Sequence, residues 1–233
     1  VVSSNIRFNT EADSLNCVIM GPDIDINKPN AQNFINEVVK EITVKAGQKC
    51  TAIRRILVPA EQYKATINAL ETALSSIVVG HPGNSEVTMG PLVSKQQMES
   101  AWKGIQQLGT EARLITGGKS GFTLVGVDPD KGYFVPPTLF ACDSPVQADI
   151  VHSLEVFGPV ATIMPYENEQ EAYSLALRGG GSLVASVFTG DDNFALNAAT
   201  ALAPGHGRIL IVDDSIAKSH TGHGIVMPQC IHG

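Results

Sequence analysis

The residue best suited to chemistry is a cysteine in the stretch Lys45-Ala46-Gly47-Gln48-Lys49-Cys50-Thr51-Ala52-Ile53-Arg54-Arg55. A thiol attacks only as thiolate, and a glycine-relieved turn beside Lys45, Lys49, Arg54 and Arg55 would expose Cys50 and favour that form. Read without its neighbours, Cys50 is better taken as a small buried hydrophobe with no chemistry. Glu11 stands just before a short apolar segment, at a strand entrance. A buried carboxylate there would suit a base that activates water, an effect worth about 10²–10⁴-fold; the pattern alone favours a solvated loop residue. Metal chemistry is not expected. Cys17, Cys50, Cys142 and Cys230 are far apart, and His206, His220, His223 and His232 have no acidic or cysteine partner at ligand spacing. His223 is a candidate for substrate contact. Gly179-Gly180-Gly181 follows a helical pattern instead of opening one, so it is not a phosphate loop, and no Gly-x-Gly-x-x-Gly cradle occurs.

These residues need a frame, and the hydrophobic pattern supplies one. Residues 13–20 read as a strand stopped by Gly21-Pro22. Residues 31–45 repeat apolar side chains at helical spacing, with Asn30 as the N-cap and Gly47 just past the end, delivering the chain into the cysteine turn. Residues 54–58 form a strand closed by Pro59, followed by a helix carrying Tyr63, Ile67, Leu70, Leu74 and Ile77 on one face. After a Gly- and Pro-rich loop over residues 80–92, Ser94-Lys95-Gln96-Gln97 caps a helix with Met98, Ala101, Trp102, Ile105 and Leu108. Residues 117–132 predict a hairpin or irregular strands with an exit over residues 134–139. Strands at 160–164, 183–189 and 208–212 alternate with helices opened by Asn168 and by Asp191 or Asp192. Apolar strands separated by helices predict an α/β fold, a three-layer αβα arrangement around a mainly parallel sheet. Strand, helix and strand in alternation would bring Glu11 and Cys50 to the same end of that sheet.

Composition narrows the function classes. A net charge of −7 with pI about 5.3 offers no basic patch for nucleic acid or an anionic membrane. No apolar run is long enough to span a membrane and no signal-peptide pattern opens the chain. A cytoplasmic protein with reduced thiols is expected. The chain opens directly into a core-like segment and stops at Ile231-His232-Gly233, which predicts a piece of something longer.

Gly47-Gln48-Lys49-Cys50-Thr51-Ala52, followed by an arginine and an apolar strand, resembles the catalytic-cysteine motif of aldehyde dehydrogenases. Leu154-Glu155-Val156-Phe157-Gly158-Pro159-Val160 is similar to that family's Glu-x-Phe-Gly-Pro motif, and Met89-Gly90-Pro91-Leu92 and residues 132–138 resemble its scaffold segments. The resemblance implies Cys50 as nucleophile, Glu11 as general base, Glu155 as acceptor for the nicotinamide ribose hydroxyls and Phe157 beside the nicotinamide ring. Glu11 is followed by Ala12-Asp13-Ser14-Leu15-Asn16 where most members have leucine and two glycines. That variant, with Thr221-Gly222-His223-Gly224, is most similar to the aldehyde dehydrogenase half of the bifunctional ring-opening enzymes of phenylacetate degradation, which carry a fused hotdog-fold hydratase.

The resemblance therefore implies that residues 1–233 are a catalytic domain lacking its upstream cofactor-binding domain and C-terminal end. The parent would be a homo-oligomer that uses NADP or NAD to oxidise a small aldehyde, such as a CoA-linked semialdehyde, to an acid, while the isolated piece would be inactive. Two other readings fit the residues: a cysteine-dependent acyl transferase or amidohydrolase needing no nicotinamide, and a non-catalytic assembly module.

Overall fold

The computed structural model describes residues 12–119, 122–128, 131–216 and 222–224. Four apolar residues in succession suit a strand covered on both faces, and Cys17, Val18, Ile19 and Met20 form such a strand, β1 (Cys17–Met20). Val18 and Met20 point into one hydrophobic cluster, Cys17 and Ile19 into the other. The chain continues through α1 (Ala31–Thr43), β2 (Arg55–Pro59), α2 (Tyr63–Ser75), β3 (Val79–Gly80), α3 (Lys95–Leu108), β4 (Arg113–Thr116), β5 (Leu124–Val125) and β6 (Thr138–Ala141). It ends with α4 (Ile150–Ser153), β7 (Val160–Tyr166), α5 (Glu169–Leu177), β8 (Ser182–Phe188), α6 (Asp192–Leu202) and β9 (His206–Val212).

Seven strands make one sheet in the order β4-β6-β7-β2-β1-β8-β9. Every neighbouring pair is parallel except the antiparallel edge pair β4 and β6. On one face Phe34, Val38 and Ile42 of α1 and Ile67, Leu70 and Leu74 of α2 meet Val18, Ile56, Val58 and Ile163. On the other, Ala101 and Ile105 of α3, Leu175 of α5, and Phe194 and Ala198 of α6 meet Ile19, Leu57 and Val187. Each fully buried aliphatic side chain contributes roughly 1.5–3 kcal/mol, and the two clusters hold the sheet from both sides. The three-layer αβα expectation is met.

Local expectations fared unevenly. Ser94 caps α3 by accepting from the Gln97 N–H at 3.2 Å, Asn168 caps α5 from the Glu171 N–H at 3.0 Å, and Asp191, not Asp192, caps α6. Asn30 does not cap α1: its backbone is already helical and its side chain makes no cap bond. The helix expected to Lys45 stops at Thr43 because Lys45 and Ala46 take left-handed backbone conformations. Ile77 lies beyond α2, and the exit over residues 134–139 leads into β6. No hairpin forms among the described residues between Gly117 and Gly132; β5 instead pairs in parallel with β3, far away in sequence. The edge strand β4 follows α3 without a strong alternating pattern, and its pairing with β6 defines it.

Candidate active site

Six parallel strands begin along one edge of the sheet, and the segments that lead into five of them converge there. Residues 12–14 precede β1, Cys50 precedes β2, Glu155 and Phe157 precede β7, Gly180 and Gly181 precede β8, and Pro204 and Gly205 precede β9. Together they line a pocket of about 530 Å³, within the range of small-molecule sites. A smaller hollow of about 220 Å³ lies at the opposite strand ends, lined by Asp23, Asp213 and Asp214. It contains none of the residues with the chemistry described above.

The cysteine turn is built from unusual backbone. Lys45 and Ala46 have φ of 55° and 52°, and Gly47 follows at 69°. Left-handed residues other than glycine cost roughly 1–2 kcal/mol each, so the turn must be held by its surroundings. At Gly47 a side chain is impossible, since a Cβ would fall 2.1 Å from the Gly158 carbonyl oxygen. Gln48 accepts from the Val93 N–H at 2.8 Å. Asn16, fully buried, donates from Nδ2 to the carbonyls of Cys50 (2.8 Å) and Ala52 (3.0 Å), while its Oδ1 accepts from the Ser14 hydroxyl and the Val184 N–H. Cys50 sits at the end of this turn with an exposed side chain.

The four cations expected to surround Cys50 are disposed differently. The Lys49 ammonium donates to both carboxylate oxygens of buried Glu41 at 2.8 Å. Burial pushes the Glu41 carboxyl up and Lys49 opposes it. Arg55 points to the opposite side, into carbonyls of Leu15, Leu175 and Ala176. Arg54 is turned toward Glu155, whose Oε1 lies 3.2 Å from its Nε. It is nonetheless near enough for a charge on Cys50 to be felt. Lys45 is exposed.

Glu155 lies in the loop after α4 and is almost fully buried, its side chain 5% exposed. Its Oε2 accepts from the Ser14 N–H at 2.9 Å. Desolvation holds its carboxyl above the usual carboxylate range, opposed by Arg54 and the Ser14 N–H. Phe157, with 39% of its surface exposed, lines the pocket beside Cys50. The structure thus gathers Cys50, Glu155 and Phe157 around one space. Glu11 lies outside the described residues, as do His220, Cys230 and His232.

His223 does not line the pocket. It is 1% exposed, its Nδ1 is 2.6 Å from the Ser186 hydroxyl, and its backbone N–H donates to Glu37 at 2.8 Å. Burial, then Lys49 and Arg208, push it down to about 3, so it stays neutral and packs behind the cysteine turn. His206 does reach the pocket. Its Nδ1–H donates to the Leu202 carbonyl at 2.9 Å, leaving Nε2 3.8 Å from the buried Cys17 sulfur. Among the described residues no cluster of three or more His, Cys, Asp or Glu is placed to hold a metal ion.

Sequence reasoning overlooked Asn16. A polar residue entering an otherwise apolar strand is the signal that marks it, because a buried amide must find partners. Gly180 and Gly181, of the triple glycine, line the pocket, and only the sheet order brings them there.

The chain is 46% identical over 233 residues to 3,4-dehydroadipyl-CoA semialdehyde dehydrogenase from Aromatoleum evansii, covering all of this chain and 45% of that protein. It is 36% identical over 146 residues to Protein MaoC from Klebsiella aerogenes, covering 62% of this chain and 42% of that one. It therefore spans less than half the length of these curated relatives. Among solved structures, HpcC from Thermus thermophilus superposes with a TM-score of 0.76 at 28% identity, over 86% of this chain and 38% of that chain. An NAD+ complex of an aldehyde dehydrogenase from Bacillus cereus gives 0.74 at 29% identity, over 87% and 38%. With residues 3–222 matched by the model of the "Aldehyde dehydrogenase family", this chain belongs to that family.

Proposed function

We propose that this chain is the catalytic domain of an NAD(P)-dependent aldehyde dehydrogenase, with Cys50 as nucleophile and Glu11 as general base. The observation that carries the reading is the common pocket of Cys50, Glu155 and Phe157. The Cys50 thiolate attacks the aldehyde carbon to form a thiohemiacetal, whose oxyanion takes a hydrogen bond from the Cys50 backbone N–H. Asn16, by fixing the Cys50 carbonyl, fixes the plane of the adjoining peptide and so helps set the angle of attack. Glu11 then activates the water that releases a carboxylic acid from the cysteine thioester.

The nicotinamide cofactor supplies the hydride acceptor when bound. The residues present suit its ribose end. A carboxylate has about four acceptor positions, and Glu155 uses one on the Ser14 N–H and one on Arg54, leaving capacity for two hydroxyl donors. Phe157 offers the adjacent apolar surface. The rest of the cofactor, and the preference between NAD and NADP, belong to an upstream domain of the parent.

By likeness to the Aromatoleum evansii enzyme, the substrate is an aldehyde carried on a CoA thioester. The parent is cytoplasmic and homo-oligomeric, carries further chain that includes a hydratase domain, and the piece alone turns over little aldehyde. No helix among the described residues is long and apolar enough to cross a membrane.

In the full-length parent, Cys50→Ala should lower NAD(P) reduction with aldehyde by about 10⁴-fold or more. Glu11→Gln should leave a burst of reduced cofactor and slow the steady rate about 10²-fold or more. Unchanged turnover in the first variant removes Cys50 from the mechanism, and a normal steady rate in the second removes Glu11. Thioester cleavage with no change in cofactor absorbance would instead favour an acyl transferase.

A further inference from the structure

Arg54 occupies a place that the reaction outlined above does not use. It is 4% exposed, and its donors reach two separate segments. Nε meets Glu155 Oε1 at 3.2 Å and Nη1 donates to the Gly158 carbonyl at 2.7 Å. Nη2 donates to the Gly47 carbonyl at 2.8 Å and, more weakly, to that of Lys49 at 3.4 Å. The guanidinium carbon lies 5.7 Å from the centre of the Phe157 ring. One side chain therefore joins the loop of Glu155 and Phe157 to the strained turn that ends in Cys50. The join falls where Gly47 and Gly158 touch backbone to backbone.

We propose that Arg54 is a positioning residue that holds the Glu155 carboxylate ionised and aimed for the hydroxyls of the nicotinamide ribose, in one frame with Cys50. The proposal rests on the aldehyde dehydrogenase reading and extends it to a residue outside the reacting groups. Its physical basis is the cost of burying a lone carboxylate, which ordinarily resolves by protonation. Burial raises Glu155, and Asp13 adds to the rise by repulsion. Arg54 and the Ser14 N–H act the other way, and Arg54 is the largest opposing influence. Among the described residues, Glu41 and Cys50 also act on Arg54. Without the guanidinium, Glu155 would take up a proton at a higher pH, and a neutral carboxyl is a poorer acceptor for two hydroxyls at once.

The test is equilibrium binding of NADH and NADPH to the full-length parent, followed by cofactor fluorescence from mildly acidic to mildly alkaline pH. Arg54→Gln should weaken binding about tenfold at the alkaline end, the worth of one charge-assisted hydrogen bond, and further as the pH falls. Glu155→Gln should weaken it about tenfold with no added pH dependence. Arg54→Lys keeps a cation but loses the fork, so it should weaken binding severalfold and keep the wild-type pH profile.

Arg54→Gln affinity within about twofold of wild type at every pH, or a loss equal at every pH, overturns the role while leaving the wider reading intact. Wild-type affinity in Glu155→Gln overturns the ribose assignment itself and this inference with it. Should Arg54→Gln fail to fold by circular dichroism, Arg54→Lys decides: severalfold weaker binding with a wild-type pH profile supports the proposal, and unchanged affinity overturns it.

Discussion

Arg54 and Arg55 are neighbours in sequence, both buried, and they serve opposite sides of β2. Arg54 turns to Glu155, which lines the pocket, and shares its charge with that carboxylate. Arg55, 0% exposed, has no carboxylate in ion-pair reach among the described residues. It donates instead to the Leu15 carbonyl at 3.0 and 2.8 Å, to Leu175 at 2.7 Å and to Ala176 at 2.7 Å, and it lies 3.3 Å from His152 Nδ1. Leu175 and Ala176 belong to the last turn of α5, where backbone carbonyls carry the negative end of the helix dipole. Alternation along a strand sends adjacent side chains to opposite faces. A pair of identical residues thereby becomes one group that organises a site and one that ties the entry of β1 to a helix end.

The difference can be broken most directly at Arg55. Arg55→Leu leaves the carbonyls of Leu15, Leu175 and Ala176 without their buried donor, at about 1–3 kcal/mol each, so a loss of about 3 kcal/mol or more is expected in urea unfolding. A wild-type unfolding midpoint would show that Arg55 is not the structural member of the pair.

On the same side, His152 donates from Nε2 to the Pro145 carbonyl at 2.9 Å and presents Nδ1 to Arg55. Burial pushes it down to about 4, the Pro145 carbonyl resists, and Arg55 adds to the depression. The unfolded chain, with an ordinary histidine near 6.5, binds the proton first. Stability from His152 is therefore complete above about pH 6.5 and is lost as the pH falls toward about 4, by something on the order of 3 kcal/mol. His206 and His223 are also lowered by burial and add the same sign. His152→Gln should reduce, without abolishing, the slope of stability against pH in that window, and an unchanged slope would contradict the assignment.

The smallest effect is expected on the pocket side. Asn16→Ala removes the donor to the Cys50 and Ala52 carbonyls and the acceptor for the Val184 N–H. A loss of about 2 kcal/mol follows from leaving buried groups unsatisfied. Because the turn then relaxes, the rate of Cys50 alkylation by iodoacetamide should change as well. If stability falls while alkylation is unaltered, Asn16 holds the sheet and not the nucleophile.

Much of this arrangement was legible in the linear pattern, for local reasons. Ser94, Asn168 and Asp191 cap their helices because a short polar side chain just before an amphipathic run satisfies the first N–H groups with no help from distant chain. Asn30 has the same residue type in the same place, yet its backbone is helical and its Oδ1 is buried without a partner among the described residues. Packing around α1 overrode the local preference there. The two-residue pairing of β3 with β5 was not legible, because nothing within either segment specifies the other.

The sequence by itself determined the alternation of strands and helices, hence the parallel sheet and its two covered faces, because apolar spacing is written residue by residue. It also set Cys50 three residues after Gly47, in a turn that a glycine relieves. Tertiary structure alone decided which charges meet. Lys49 went to Glu41, Arg54 to Glu155 and Arg55 to the end of α5. Those partners lie eight, about one hundred and more than one hundred residues away; the turn after α1 brings the first pair together, and the order of strands across the sheet brings the other two within reach.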